Sequence, residues 1–75
     1  MQQYKNLGGD SNIRAFVISE DYIDVQFNGS AIIYRYSYKS AGIDKVEEKK
    51  RLAIQGYGLN SYIMRYARMD YEKKI

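Results

Sequence analysis

Between Tyr22 and Tyr38 the chain fixes its own pairing. Ile23, Val25 and Phe27 are apolar, while Asp24 and Gln26 between them are polar, the alternation of a half-buried strand. Asn28-Gly29-Ser30 is a turn signal, with Gly29 free to take positive φ, and Ala31 to Tyr38 reads as the returning strand. With Gly29-Ser30 as a two-residue loop, Asn28 faces Ala31, Phe27 faces Ile32, Val25 faces Tyr34 and Ile23 faces Tyr36. On the other side Asp24 meets Arg35 and Gln26 meets Ile33. One register thus gives an apolar, aromatic face and a face with a cross-strand Asp–Arg pair. A slip of one residue would turn every apolar group of a strand to water. Tyr34 and Tyr36 are therefore expected to point at the core, with their hydroxyls near its edge.

Asn12 to Ile18, rich in β-branched and aromatic residues, reads as a preceding strand. A two-residue turn at Glu20-Asp21 puts Phe16 and Ile18 on the core face and Ala15 and Val17 outside, and a three-residue turn reverses this. After Lys39 the period changes. Ile43, Val46, Lys50, Ala53 and Ile54 fall on one side of a helix, with the Lys50 stem on that side and its ammonium in water. Gly56 ends that helix. Asn60 or Ser61 is expected to cap a second one, whose apolar stripe is Leu59, Tyr62, Ile63, Tyr66 and Met69. The expected fold is α+β: a three-stranded antiparallel meander followed by a two-helix hairpin packed on one face, β-β-β-α-α. Residues 1–10, with Gly8-Gly9, read as a flexible lead-in, and 11–75 as one domain.

At 75 residues the chain has room for one small core. It has no cysteine and no histidine, which excludes disulfides, thiolate or imidazole metal sites, and Ser-His-Asp or Cys-His catalysis. The carboxylates Asp10, Glu20, Asp21, Asp24, Asp44, Glu47, Glu48, Asp70 and Glu72 lie mostly at turns or on helix faces, so an enzyme is not expected, nor a cofactor. No apolar run approaches the ~20 residues of a membrane span, and no signal-like stretch follows Met1, so the expected compartment is the cytoplasm, without membrane contact.

Charge and aromatics point to a partner class. Nine tyrosines are present, and the net charge of +3 is lopsided. Residues 1–38 carry three basic and four acidic side chains, residues 39–75 nine and five. Basic residues interleaved with aromatics suit nucleic acids, through phosphate attraction and base stacking. Lys45, Lys49, Lys50 and Arg51 cluster on the first helix, diluted by Glu47 and Glu48, with Glu47–Arg51 as the four-residue ion pair. Arg65 and Arg68 are the cleaner basic feature. Gly56-Tyr57-Gly58-Leu59-Asn60-Ser61 reads either as a plain hairpin turn or as a loop whose backbone approaches a phosphate while Tyr57 stacks on a base. Tyr34-Arg35-Tyr36 reads either as core tyrosines or, where helices leave that face open, as a stacking platform.

Ser11-Asn12-Ile13, the strand ending Val25-Gln26-Phe27-Asn28-Gly29, Tyr34-Arg35-Tyr36, Leu52-Ala53 with Gly56, and Asn60-Ser61-Tyr62-Ile63 before Tyr71 follow in order. In that order the chain resembles a KTSC domain over about residues 11–71. That family is named for a C-terminal segment of some lysyl-tRNA synthetases and also occurs as stand-alone bacterial proteins, with a central Tyr-x-Tyr matched here by Tyr34 and Tyr36. Its Val-Pro step before the helix is absent, so the Ser37-to-Gly42 link differs. The resemblance implies no catalysis and a role in RNA binding.

The expected function is a small non-enzymatic module that binds RNA, another single strand or a phosphorylated nucleotide, through Tyr57, Asn60, Arg65, Arg68 and Lys50, with Tyr34 and Tyr36 behind them. The competing expectation is a protein-interaction module, such as a phage or mobile-element inhibitor, working through the outer sheet face. A homo-oligomer is expected on that face around Ile33, with Val17 and Ala15 or with Phe16 and Ile18.

Overall fold

The Tyr22–Ser37 hairpin forms in the expected register. In the computed structural model, which describes residues 1–9 and 11–75, β3 (Tyr22–Phe27) pairs antiparallel with β4 (Ile33–Ser37). Ile23 lies opposite Tyr36, Asp24 opposite Arg35 and Val25 opposite Tyr34. Ahead of them runs β2 (Ile13–Ile18). Ile18 lies opposite Ile23 and Ser19 N–H donates to the Tyr22 carbonyl at 3.0 Å, so the tight turn at Glu20-Asp21 is the one that forms. Phe16 consequently faces the core, and Ala15 and Val17 lie on the outer face.

A break in this alternation enlarges the core. The register shifts between Ile13 and Ala15, so Arg14 is the extra residue of a bulge. Ile13 and Phe16, three apart in sequence, can then both be buried on the same side.

The sheet has five strands, in the order β1-β2-β3-β4-β5, rather than three. Residues 1–9 are not a loose lead-in. Gln2–Gln3 forms β1 against Ala15 and Phe16, Tyr4 is 3% exposed in the core, and Tyr4 N–H donates to the Arg14 carbonyl at 2.9 Å. Asp10, the last residue of the expected lead-in, lies outside the described residues. At the far edge β5 (Lys73–Lys74) pairs with Tyr34 and Arg35.

Helices follow β4 directly. Ser37 caps a short α1 (Tyr38–Ala41): its side chain accepts from Ser40 N–H at 3.1 Å, and Ser40 Oγ accepts from Ser37 N–H. Gly42 then admits α2 (Ile43–Gln55), which Gly56 ends in the left-handed conformation, as expected. The buried side of α2 is Val46, Lys49, Lys50, Leu52 and Ala53. The expected stripe is therefore turned: Ile43 and Ile54 are exposed, and Lys49 and Leu52 replace them. The cause is Lys49. Its side chain is fully buried, with Nζ 4.3 Å from the centroid of the Tyr36 ring and 3.4 Å from Asp70 Oδ1. Burial lowers the Lys49 pKa, opposed by Asp70.

The last helix, α3, spans Leu59–Tyr66. Leu59 and Ile63 are fully buried, but Tyr66 and Met69 of the expected stripe are exposed, and Met69 lies past the helix end. The core joins Tyr4, Ile13, Phe16, Ile23, Val25 and Tyr36 to Val46, Leu52, Ala53, Leu59 and Ile63. No helix among the described residues is long and apolar enough to cross a membrane.

Candidate nucleic-acid interface

The turn between α2 and α3 is set by its two glycines. Gly56 has φ +90°, and a Cβ there would lie 3.0 Å from the Lys5 Cβ and 3.3 Å from Leu7. The turn thus rests on the N-terminal segment, where Leu7 N–H donates to the Gly56 carbonyl at 2.7 Å. Gly58, at φ +89°, occupies the N-cap position of α3 without a side-chain bond. The expected cap at Asn60 or Ser61 is therefore not formed, because both residues already lie inside the first turn. They instead line a cleft of about 310 Å³ with Tyr57, Asn6 and Ser11. Tyr57 is 54% exposed.

A second cleft, about 490 Å³, opens between the end of α3, the β3–β4 edge and the C-terminal segment. Phe27, Tyr34, Tyr36 and Tyr71 line it, with Arg68, Lys74 and the amides of Asn12 and Asn28. The rings meet edge to face: Phe27 and Tyr34 at 5.5 Å between centroids, Tyr34 and Tyr71 at 5.1 Å, Tyr36 and Tyr71 at 6.4 Å. Lys74 Nζ stands 5.6 Å from the centroids of both Tyr34 and Tyr71. Among the described residues neither Arg68 nor Lys74 has a carboxylate partner. Tyr34 is half-buried and lies on this open part of the core face, whereas Tyr36 is 1% exposed and offers almost no surface. Burial, helped by Asp70 and the neighbouring tyrosines, raises the Tyr36 phenol well above its ordinary pKa.

The wall that carries Tyr71 is pinned from behind. Asp70 takes Lys49 at 3.4 Å and Lys45 at 3.7 Å, and Lys45 Nζ also donates to the Tyr66 carbonyl at 3.2 Å. Beyond Tyr71, Glu72 N–H donates to the Arg35 carbonyl at 2.6 Å, and Ile75 exchanges bonds with Ile33.

The expected site residues divide. Tyr57 and Asn60 line the smaller cleft, and Tyr34, Tyr36 and Arg68 the larger. Lys50 lines neither and is not a free cation: it is 9% exposed, donates to the Glu20 carbonyl at 2.9 Å and pairs with Glu47 at 2.8 Å. It ties α2 to the β2–β3 turn. Arg65 also lines neither cleft, and its guanidinium lies 5.9 Å from the Tyr66 ring. Arg51 pairs with Glu48 three residues back, not with Glu47. Asp24 is buried and paired with Arg35, as the strand register predicts, whereas Asp70, read from the sequence as a turn or helix-face carboxylate, is half-buried and ion-paired with Lys45 and Lys49. Asp10 again lies outside the described residues.

On the outer face Arg35 forms a bidentate pair with Asp24 at 2.8 and 3.0 Å and stacks 3.8 Å from the Tyr22 ring centroid. Val17 and Ile33 are half-buried there, and Ala15, at 9% exposed, offers almost no surface.

Phe27, Asn28, Tyr71 and Lys74 belong to the larger cleft without having been singled out from the sequence. The alternation placed Phe27 on the core face, a usable signal. Lys74 had none, because a two-residue strand shows no period. Compared with protein-family models, curated proteins and solved structures, the chain matches none of them.

Proposed function

We propose that the protein is a small non-enzymatic module that binds single-stranded nucleic acid, RNA foremost, in the larger cleft. The observation that carries this reading is the meeting of an aromatic group with two cations that have no carboxylate partner among the described residues. Tyr34 and Tyr71, both half-buried, line the cleft with Arg68 and Lys74, and the Lys74 ammonium stands over both rings. A nucleotide needs both: a π-face for its base and a positive charge for its phosphate. Asn12 and Asn28 add amide groups at the rim, suited to the edge of an unpaired base. The excess of basic residues after Lys39 and the resemblance to KTSC domains favour the same partner.

Fluorescence anisotropy with a short labelled single-stranded RNA tests the reading. Binding at low salt should weaken as salt rises, and Arg68→Ala should lower the slope of log K against log salt by about 0.7, one phosphate contact. No binding at low salt, or an Arg68→Ala variant with unchanged affinity and slope, would overturn it.

A further inference from the structure

We infer that the two clefts form one track, so that the ligand is a strand of at least two consecutive nucleotides rather than a mononucleotide; this rests on the reading of the larger cleft given above. Along α3, Asn60 faces the smaller cleft and Met64, one turn further on, faces the larger. The rise between them is about 6 Å. The opposite wall is also continuous. Ser11 lines the first cleft and Asn12 and Asn28 the second, and Asn28 Nδ2 donates to the Ser11 carbonyl at 3.4 Å. The linkage between neighbouring bases of a single strand is of the order of that one-turn step.

The two clefts differ in chemistry, and the difference names the ligand. The larger holds Arg68 and Lys74, which suit a phosphate. The smaller has no lysine or arginine among its described lining residues, only one aromatic ring and several amides and hydroxyls. A site for further phosphates of the same nucleotide would carry positive charge. A ring with amides and hydroxyls instead suits a second base and its sugar: Tyr57 stacks, and Asn60 and Ser61 hydrogen-bond the base edge or the 2′-hydroxyl. Both volumes are within the range of small-ligand pockets.

The test follows backbone-amide chemical shifts of the whole chain during titration with uridine monophosphate, uridine triphosphate and the dinucleotide pUpU, which reads weak binding. The dinucleotide should bind at least about tenfold more tightly than the monophosphate, the gain expected of one stacked base. The triphosphate should lack the shifts at Tyr57 and Asn60 that the dinucleotide produces. Tyr57→Ala, a change at an exposed turn position, should abolish the tenfold gain and leave monophosphate binding unchanged. Equal affinities for the monophosphate and the dinucleotide, or a Tyr57→Ala variant that keeps the gain, would overturn the track while leaving the larger cleft as a nucleotide site. Should Arg68→Ala weaken none of the three ligands, or should none bind, the reading of the larger cleft falls and the track with it.

Discussion

The outer sheet face and the larger cleft are built from the same residue types to opposite effect. On the outer face Arg35 has a tyrosine ring beneath it and a carboxylate across from it, and its Nε and one Nη donate to that carboxylate. In the cleft Arg68 and Lys74 stand beside tyrosines with no carboxylate partner among the described residues. A guanidinium paired with Asp24 contributes to the fold and has little charge left for a phosphate. An unpaired one contributes little to stability and keeps its charge for a ligand. Tyr-Arg-Tyr in the sequence therefore does not mark a single surface: alternation sends Arg35 to one side of β4 and both tyrosines to the other.

The largest expected effect breaks the closed face. Asp24→Ala should cost about 2–3 kcal/mol of stability in denaturant unfolding, because it leaves Arg35 partly buried beside Tyr22 without its acceptor. RNA affinity should stay within twofold. Next is a pH effect at the cleft floor. An ordinary tyrosine loses its proton at 10.0, and burial holds folded Tyr36 above that. Above pH 10 the unfolded chain has lost this proton and the folded chain retains it, so stability falls by up to ~1.4 kcal/mol per pH unit. In Tyr36→Phe that part of the fall should disappear, seen as a flatter profile of unfolding free energy above pH 10.

Arg68→Ala should change stability by less than about 0.5 kcal/mol, as for an exposed side chain away from special features. It should nevertheless weaken RNA binding at low salt roughly fivefold, through the loss of one phosphate contact. The smallest effect belongs to Arg65. Although it sits three residues from Arg68 and has the same charge, it lines neither cleft. Arg65→Ala should leave affinity within twofold in the same titration, and an equal loss from both arginines would mean that general charge, not the cleft, attracts the strand.

What could be read from the sequence follows from where the pattern is local. Apolar–polar alternation before Gly29, and the Tyr34-Arg35-Tyr36 alternation after it, specified the pairing of β3 and β4, down to the Asp24–Arg35 pair. Gly56 signalled the end of α2 because only a left-handed residue closes that turn without strain. The failures were non-local. Gln2–Gln3 and Lys73–Lys74 are strands only because β2 and β4 offer them edges, and two residues show no period. Lys49 reads as a surface residue until Asp70, far along the chain, and the Tyr36 ring supply its partners. Asn60 and Ser61 look like caps, but Gly58 takes the cap position first. Of the residues lining the larger cleft, Tyr34 and Arg68 were named from the sequence and the C-terminal wall was not. Tyr71 comes to the cleft through the contacts of Asp70 and β5, which sequence spacing does not reveal.

The most direct test of the contrast between the two faces is a chemical-shift map of the labelled protein titrated with a short single-stranded RNA. Shifts should concentrate at Tyr34, Met64, Arg68, Tyr71 and Lys74, with Val17, Asp24 and Ile33 on the outer face unmoved. Shifts centred on the outer face, or none at millimolar RNA and low salt, would contradict that contrast.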